Sequence, residues 1–558
     1  MKFKHIISSF FLRLQKHPLL WTWLFIMSIL SIIDIPGSPV FALSPFIQVL
    51  YTLFFSALKA TLLSLGVVIF ERWRVGKCFA YILVGIFSIL ALVNAFSYTF
   101  YDFGISRKML LIFAQTTAFE TTGMIPAILD NIISFLIRWS TLAVIAAAVI
   151  LFILLKKFPR KAFISVAIAS GIGFFAFLIF TFNFSSGRTA HSLALRIAKY
   201  SVEVYRAEQL YQQLLSQAIP FPDADKVHSD HAASNFILVI GESASRKHHS
   251  IYGYPIPTNP RLSRHADSLY IFSDVIGSSA ATAGNMERIL TFKEDDMTFG
   301  DGLRYPALID LFNEAGYTTF WLSNQERAGT VSNTSSALAR NADVITYVGA
   351  DNSEDALLQR YDDVLLPHVF NAFASPDSNK LIVCHLLGSH PFYKDRFPKN
   401  RSNISPTMEL NANINPPRTW LNEKSAQIVA DYDNSIAFTD SILDVMIGMV
   451  ATSPKPSVLL YFSDHGENVY DEGDYTGRGV DYVDVPMILY LNPQYRVQNP
   501  DILDRLDSAL SLSISNANII HSMMTLTGTS YPLYNPKLDF LSPSFSPRIR
   551  NVDEAPLK

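Results

Sequence analysis

Apolar residues are distributed in two contrasting ways along the chain, and the pattern changes near residue 184. After that point, short runs rich in β-branched and aromatic residues alternate with segments of helical length. Before it, five apolar runs are long enough to cross a bilayer, and they cover residues 18–34, 46–70, 78–99, 132–155 and 162–183. The pattern predicts a membrane-spanning part followed by a separate domain in water.

The part after residue 184 shows the alternation of strands and helices that is typical of α/β domains. The expected strands are "NFILVIGES", "YTTFWLSN", "NKLIVCHLLG", "SVLLYFSDHG" and "VPMILYLN", and the expected helices include "YPALIDLFNEAG" and "YDNSIAFTDSILDVMIGMVA". Such alternation favours a largely parallel central sheet. We therefore predict a transmembrane domain with five spans at 1–183, a connecting helical linker at 184–233, and an α/β domain at 234–558.

Basic residues in the short loops predict the orientation of the spans. Lys and Arg cluster before the first span, at 72–77 and at 156–161, whereas the loop 34–44 contains neither. Because loops rich in Lys and Arg stay on the cytoplasmic side, we expect the N-terminus inside. Five spans then place the α/β domain outside, which in a bacterium means the periplasm.

Composition adds little to this picture. The 558 residues carry a formal net charge of −3, so charge gives no case for a nucleic-acid partner. The two cysteines, Cys78 and Cys384, are too few and too far apart for a disulfide framework or a cysteine metal site. We interpret both as core residues, because unpaired cysteine is usually buried.

The loop between the third and fourth apolar runs, at 100–131, is longer than the others and amphipathic. It contains Thr116 and Glu120, which share one face if the loop is helical. The residues alone leave two interpretations open. The loop is either an amphipathic helix on the outer membrane surface or a helix that contacts a lipid headgroup.

Polar residues of the metal-binding type follow three of the predicted strands. Glu242 lies near the end of "VIGES", His390 ends "HLLGSH", and Asp464 and His465 follow the apolar part of "YFSDHGE". Ligands of such sheets bind beyond the carboxyl ends of the strands, so we expect Glu242, Asp464 and His465 to converge at one edge. Carboxylate oxygens together with an imidazole suit zinc or manganese.

A hydroxyl that could act as nucleophile lies in "SSAATAGNMERILTF", where a loop of small residues leads into a helical segment at Thr282. A metal can activate such a hydroxyl, and the helix N-terminus can hold a phosphate. The alternative is that Thr282 only caps the helix, which is the commoner use of threonine at this position.

With these residues identified, the chain resembles the bacterial phosphoethanolamine transferases of the alkaline phosphatase and sulfatase superfamily. The blocks that carry the resemblance are "VIGESASRKHHSIYGYP", "TAGNMERILTF", "FWLSNQ", "HLLGSHPFYKDRFP", "YDNSIAFTDSIL" and "LLYFSDHGENVYD". The resemblance implies an inner-membrane enzyme with a periplasmic sulfatase-like catalytic domain. Such an enzyme moves phosphoethanolamine from phosphatidylethanolamine to lipopolysaccharide or a related glycolipid. The Thr282 region, the "FWLSNQ" block and the lack of disulfides are most similar to the branch that acts on inner-core heptose.

The resemblance also implies roles for individual residues. The positions that match the zinc ligands of the family are Glu242, Thr282, Asp464 and His465, and the threonine is the nucleophile that carries the phosphoethanolamine. His390 matches a histidine that binds the substrate phosphate or a second metal. Asn324 is expected to help stabilise charge on the phosphate oxygens.

Two positions depart from the family pattern. The headgroup-binding stretch matches Thr116 and Glu120, but its third polar position is Ile112 in this chain. A second histidine that many members carry after the SDHGE block is missing from "DEGDYTGRGVDY", where Arg478 is the nearest candidate for a phosphate contact. We therefore expect one zinc ion and leave a second open. The alternative function is a glycerol-phosphate transferase of the lipoteichoic acid synthase or glucan-modifying type.

Overall fold

The computed structural model describes two compact units, Met1–Tyr205 and Arg206–Lys558. The described residues are 18–30, 56, 60, 63–64, 67, 74–101, 201–202, 205, 226–229, 234–278, 282–292, 301–325, 334–348, 361–390, 393–471 and 484–547.

In the first unit, two helices pack against each other, α1 (Pro18–Leu30) and α2 (Arg74–Tyr101). Met27 and Ala91 are buried at their contact. The indole nitrogen of Trp23 donates a hydrogen bond to Ser88 Oγ at 2.8 Å. The opposite side of α2 exposes large apolar side chains, among them Ile86 and Ile89. An exposed apolar helix face of this kind is typical of a surface that meets lipid.

These helices coincide with the first and third predicted spans. The fourth and fifth spans, Thr116 and Glu120 lie outside the described residues, so the five-span topology stays a prediction. The interpretation of Cys78 as a core residue was wrong, because its side chain is exposed on α2, whereas Cys384 is buried as expected; neither forms a disulfide. The apolar sequence around Cys78 lies on a helix that α1 covers on one side only.

The second unit contains a largely parallel sheet, as predicted. Its elements are β1 (His228–Ser229), β2 (Asn235–Gly241), β3 (Leu269–Ile271), β4 (Asp274–Ile276), α3 (Thr282–Leu290), α4 (Leu308–Glu314), β5 (Thr318–Ser323), α5 (Thr334–Ala339), β6 (Val344–Tyr347), α6 (Leu366–Ala374), β7 (Lys380–His385), α7 (Pro406–Asn411), α8 (Glu423–Ala451), β8 (Ser457–Ser463), β9 (Met487–Leu491), α9 (Pro493–Gln498), α10 (Pro500–Ala509), β10 (Ser513–Ser515), α11 (Ile519–Thr527) and β11 (Thr529–Ser530).

Within the described part of this unit, seven strands form the central sheet in the order β3-β9-β8-β2-β7-β5-β6. The strands from β8 to β6 are parallel, whereas β9 is antiparallel to both β8 and β3. All five strands predicted from the sequence are present, as β2, β5, β7, β8 and β9. Strands β2 and β8 are buried along their whole length, because helices cover both faces of a parallel sheet.

Helix α8 is the main element on one face of the sheet. Asn422 caps its first turn by accepting hydrogen bonds from the backbone N–H groups of Lys424 and Ser425. The helix begins at Glu423, nine residues before Tyr432, where the predicted helical segment starts. Among the described residues, α8 is also the helix long and apolar enough to cross a membrane. Most of it is buried, and Ile442 and Met446 pack in the core beneath the sheet, so it is a core helix.

Candidate active site

The ends of two neighbouring strands position the acidic residues of the site. Strands β2 and β8 are parallel and in register, with Gly241 opposite Ser463, so Glu242 and Asp464 leave the sheet side by side. Both carboxylates are buried, with relative exposures of 1% and 0%. The sequence prediction that these strand ends meet at one edge of the sheet agrees with this arrangement.

The side chains of Glu242, Asp464, His465 and Thr282 converge. His465 Nε2 lies 3.2 Å from Glu242 Oε1 and 3.7 Å from Asp464 Oδ2. Thr282 is the first residue of α3, and its hydroxyl donates to the two carboxylate oxygens of Glu242 at 3.1 Å each. The same hydroxyl lies 3.4 Å from His465 Nε2. The threonine side chain thus faces the acidic cluster.

Local hydrogen bonds orient His465 and Asp464. His465 Nδ1 lies 2.8 Å from the carbonyl oxygen of Gly466, an arrangement that protonates Nδ1 and leaves Nε2 directed at the cluster. Asp464 Oδ1 accepts from the backbone N–H groups of Ser243 and of His465 at 3.2 and 2.7 Å. Asp464 Oδ2 is buried and has no hydrogen-bond partner among the described residues. A buried carboxylate oxygen that accepts no hydrogen bond is a suitable position for a cation.

The charges of the cluster reinforce this conclusion. Burial and the neighbouring Glu242 raise the pKa of Asp464 to about 7. Burial opposes the charge of His465, but the two carboxylates outweigh it and raise the pKa of this imidazole to about 10. Burial would also raise the pKa of Glu242, yet the hydrogen bond and charge of His465 lower it well below its usual range. Two carboxylates this close require positive charge between them.

The arrangement of these side chains fits a divalent cation. One ligand atom each from Glu242, Asp464 and His465 lies within 4.8 Å of the others, and these form the metal-type group found among the described residues. Two carboxylate oxygens and an imidazole nitrogen, with the Thr282 hydroxyl beside them, are a donor set typical of zinc. The residues of this group therefore fit zinc, and the number of ions stays a prediction.

Sequence reasoning missed residues that support Glu242. Gln325 Nε2 donates to Glu242 Oε2 at 3.0 Å and to the Leu386 carbonyl at 3.1 Å. Ser243 donates its hydroxyl to Glu242 Oε1 at 2.9 Å, and it has a positive φ of 55°, which is unusual for a residue other than glycine. The signals were present, because Ser243 belongs to the GES block and Gln325 ends the "FWLSNQ" block.

The backbone of Asp464 and the segment leading to Thr282 are held by one asparagine. Asn516 Nδ2 donates to the Asp464 carbonyl at 2.7 Å, and its Oδ1 accepts from the Ser278 backbone N–H at 2.9 Å. The Ser278 hydroxyl in turn donates to Asn285 Oδ1, in α3, at 3.0 Å. The nucleophile candidate and the ligand candidate are therefore connected through the backbone as well as through their side chains.

Helix α8 braces two of the loops at the site. The Tyr432 hydroxyl donates to the Ser243 carbonyl at 2.8 Å and accepts from the Ser245 backbone N–H at 2.7 Å. Ser435 Oγ contacts Ser389 Oγ, in the GSH block, at 2.8 Å. The YDN block singled out in the sequence therefore acts as a support for the loops that carry the site.

The other predicted site residues have different outcomes. His390 is partly buried at the end of the GSH block, where its carbonyl accepts from Arg396 Nε at 3.0 Å. Asn324 is buried and donates to Asp362 at 2.8 Å, so its amide supports a loop, and a contact with substrate stays a prediction. Arg478, like the two residues of the 100–131 loop, lies outside the described residues.

Gly388 allows the GSH block to approach Glu242 closely. It has a φ of +54°, and a Cβ at this position would lie 2.7 Å from the Glu242 backbone nitrogen and 2.8 Å from its carbonyl oxygen. We expect Gly388→Ala to lower the free energy of unfolding by about 3 kcal/mol and to weaken zinc binding, because the ligand backbone must shift. Thermal unfolding and zinc titration of the purified variant measure the two effects.

Gly316→Ala is the matched control for this substitution. Gly316 also has a positive φ, +82°, but a Cβ there meets nothing within 4 Å. The control therefore introduces backbone strain without the clash, and we expect a loss of about 1 kcal/mol with unchanged zinc binding. Equal effects of the two substitutions on zinc binding would contradict the role assigned to Gly388.

Comparison with known proteins agrees with this site. The sulfatase family model matches residues 234–529. The phosphoethanolamine transferase EptC of Escherichia coli K12 is 28% identical over 483 residues, which cover 81% of this chain and 80% of the relative. CptA of Salmonella typhimurium, also a phosphoethanolamine transferase, is 27% identical over the same length.

Two solved structures share the fold. The periplasmic domain of Escherichia coli EptC in complex with zinc is 28% identical, with a TM-score of 0.52, and the match covers 59% of this chain and 92% of that domain. The integral membrane protein EptA of Neisseria meningitidis is 18% identical with a TM-score of 0.64, and the match covers 92% of this chain and 97% of that protein. The second match extends the shared fold beyond the catalytic domain.

Proposed function

Because the chain belongs to the sulfatase family, we propose that it transfers phosphoethanolamine from phosphatidylethanolamine to a lipopolysaccharide acceptor, with inner-core heptose favoured. The observation that carries the proposal is the position of the Thr282 hydroxyl, 3.1 Å from both carboxylate oxygens of Glu242 and 3.4 Å from His465 Nε2. A hydroxyl held against a metal-type ligand group is suited to become a nucleophile. The zinc-bound EptC domain and the named relatives support the choice of metal and of transferred group.

The reaction proceeds in two steps through Thr282. In the first, Thr282 Oγ1 forms a bond to phosphorus while the bond from phosphorus to the diacylglycerol oxygen breaks, and diacylglycerol leaves with the proton. In the second, an acceptor hydroxyl forms the bond to phosphorus, the bond to Thr282 breaks, and Thr282 regains a proton. Glu242, Asp464 and His465 would hold the zinc ion, which when bound would lower the pKa of the attacking hydroxyl and provide positive charge for the phosphate oxygens.

Residues around the cluster complete the proposed substrate site. We assign His390, Asn324 and Arg478 to the phosphate oxygens, and Thr116 and Glu120 to the ethanolamine headgroup of the donor. A donor that is itself a membrane lipid explains why the catalytic domain is joined to apolar helices. We therefore place the protein in the bacterial inner membrane as a multi-pass protein, with its catalytic domain in the periplasm.

The identity of the trapped adduct tests this proposal. The full-length protein is incubated without acceptor in vesicles that contain either phosphatidylethanolamine or phosphatidylglycerol, and the peptide with Thr282 is examined by mass spectrometry. We expect a phosphoethanolamine adduct with the first donor and no adduct with the second. Mass spectrometry distinguishes the two possible adducts, because they differ in mass and only phosphoethanolamine carries an amine. A glycerol-phosphate adduct would establish the lipoteichoic acid synthase type of reaction instead, and a modified residue other than Thr282 would overturn the nucleophile.

A further inference from the structure

A second group of charged side chains is buried away from the ligand group. We call it the His248 cluster, and its members are His248, Glu409, Arg418, Asp433 and Asp471. Each of these side chains has a relative exposure of 7% or less. His248 is its centre, because Nδ1 lies 2.6 Å from Asp433 Oδ1 and Nε2 lies 3.1 Å from Asp471 Oδ1. One imidazole thus joins two carboxylates that are distant in sequence.

The other members complete the coordination of these carboxylates. Arg418 donates to Asp471 Oδ1 at 2.5 Å, and its guanidinium lies over the ring of Tyr254 at 5.6 Å. The Tyr254 hydroxyl donates to Glu409 Oε2 at 3.3 Å. Arg418 also lies 3.8 Å from the same Glu409 oxygen. His248 and Arg418 therefore both contact Asp471 Oδ1, and Arg418 Nη2 lies 3.3 Å from His248 Nε2.

The ionisable groups of the His248 cluster shift one another's pKa values. Burial would lower the pKa of His248, but Asp471 and Asp433 outweigh it and raise the pKa to about 9, so the imidazole is charged at neutral pH. Burial and the neighbouring Asp433 raise the pKa of Glu409 to about 9, so this residue is a neutral acid. Burial would raise the pKa of Asp471, but the charges of His248, Arg418 and Lys247 all act on this carboxylate and lower its pKa to about 2.

The position of the cluster connects the two segments that carry the metal-type ligands. The first ligand loop, residues 242–249, begins with Glu242 and contains His248. The second ligand loop, residues 464–471, begins with Asp464 and His465 and ends with Asp471. The loops meet at the ligand group, where His465 Nε2 lies 3.2 Å from Glu242, and they meet again where His248 contacts Asp471. Two contacts between the same two loops hold them more rigidly than one.

Helix α8 supports the same contact from beneath. Asp433 follows Tyr432 on this helix, and Tyr432 holds the backbone of the first ligand loop at Ser243 and Ser245. The ring of His248 also packs edge-on against Tyr432, with ring centroids 5.0 Å apart. The helix therefore fixes the imidazole in both position and orientation.

We propose that His248 is a positioning residue that clamps the two ligand loops together and thereby sets the geometry of the zinc ligands, without itself contacting metal or substrate. The inference rests on the metal centre of the proposed function. Buried ions add little net stability over apolar packing of the same volume, because their desolvation opposes their attraction. Their directional hydrogen bonds, in contrast, fix geometry, and groups that orient metal ligands strongly affect metal affinity.

The experiment replaces His248 by phenylalanine in the full-length protein. His248→Phe keeps a ring between Tyr254 and Tyr432 but removes both carboxylate contacts. Zinc affinity is measured by competition with a chromophoric chelator, in the absence of any lipid donor. We expect the zinc dissociation constant to rise about tenfold, at the lower end of the effect of groups that orient ligands. Transfer assays should show a lower kcat with an unchanged KM for the donor.

A buried histidine elsewhere in the domain provides the matched control. His521 packs against the rings of Phe292 and Tyr534 and accepts a hydrogen bond from the Asn535 backbone N–H at 3.2 Å. It belongs to neither ligand loop. We expect His521→Phe to change the melting temperature while the zinc dissociation constant stays at the wild-type value. An equal loss of zinc affinity in both variants would assign the effect to stability alone.

The remaining outcomes are also decisive. If His248→Phe does not fold, Asp471→Asn is measured instead, because it keeps the shape of the clamp and weakens its charge; zinc affinity should fall in the same direction. An unchanged dissociation constant in a folded His248→Phe protein overturns the clamp alone. A wild-type protein that binds no zinc overturns the metal centre and the clamp with it. A wrong choice of donor leaves the zinc measurement unaffected, so failure of the proposed substrate is distinguishable.

Discussion

Replacing Thr282 by alanine is expected to abolish phosphoethanolamine transfer and to leave zinc bound. The substitution removes the oxygen that would form the bond to phosphorus, so the rate should fall by about four orders of magnitude or more. The ligand group of Glu242, Asp464 and His465 remains, and three such ligands are enough to hold zinc in a catalytic site. Mass spectrometry of the acceptor measures transfer, and metal analysis of the same sample measures zinc.

Thr282→Ser is the matched control, because it keeps the hydroxyl and removes one methyl group. We expect it to retain transfer within about tenfold of the wild-type rate, since the attacking oxygen stays at the start of α3. Thr282 already directs this oxygen at Glu242, so serine can make the same hydrogen bonds. Transfer at the native rate in Thr282→Ala would show that another group is the nucleophile.

The meeting of Glu242, Asp464 and His465 could be predicted because it follows from topology. Residues just after neighbouring parallel strands lie at the same edge of the sheet, and strands β2 and β8 were recognisable from their apolar runs. The directions of the side chains that follow β5 could not be predicted in the same way. Asn324 and Gln325 are consecutive, but their side chains point to different partners, Asp362 and Glu242 respectively. Both residues follow the end of β5, so contacts of the loop, and not the alternation of the strand, decide where each side chain points.

The parts that could not be predicted depend on contacts between distant segments. The short strands β4 and β10 pair over three residues, with Val275 opposite Ile514, and neither run is apolar enough to identify alone. The direction of β9, antiparallel to β8, is likewise decided by the connection and by pairing with β3. The contacts of His248 could not be predicted either, because its partners Asp433 and Asp471 lie far along the chain.

Replacing Asp464 by asparagine is expected to release zinc, because this buried carboxylate is one of the proposed metal ligands. Its Oδ1 accepts from two backbone N–H groups, whereas Oδ2 is buried, has no hydrogen-bond partner among the described residues, and lies 3.7 Å from His465 Nε2. An amide has nearly the same shape but no negative charge, so we expect the zinc dissociation constant to rise at least about a hundredfold. Transfer should fall with the zinc content, and metal analysis after dialysis measures the loss.

Asp539→Asn separates this effect from a general loss of stability. Asp539 is fully buried, and its Oδ2 accepts from Thr525 Oγ1 at 2.6 Å and from the Tyr534 hydroxyl at 2.7 Å. Asp539 does not belong to the group of Glu242, Asp464 and His465, so removing its charge should lower stability while zinc content stays at the wild-type level. Asp464→Asn should show the opposite result, a larger loss of zinc than of stability, because Asp464 Oδ2 accepts no hydrogen bond from the described residues. Undiminished zinc in Asp464→Asn would remove Asp464 from the ligands, and the orphaned oxygen would then need a different cation.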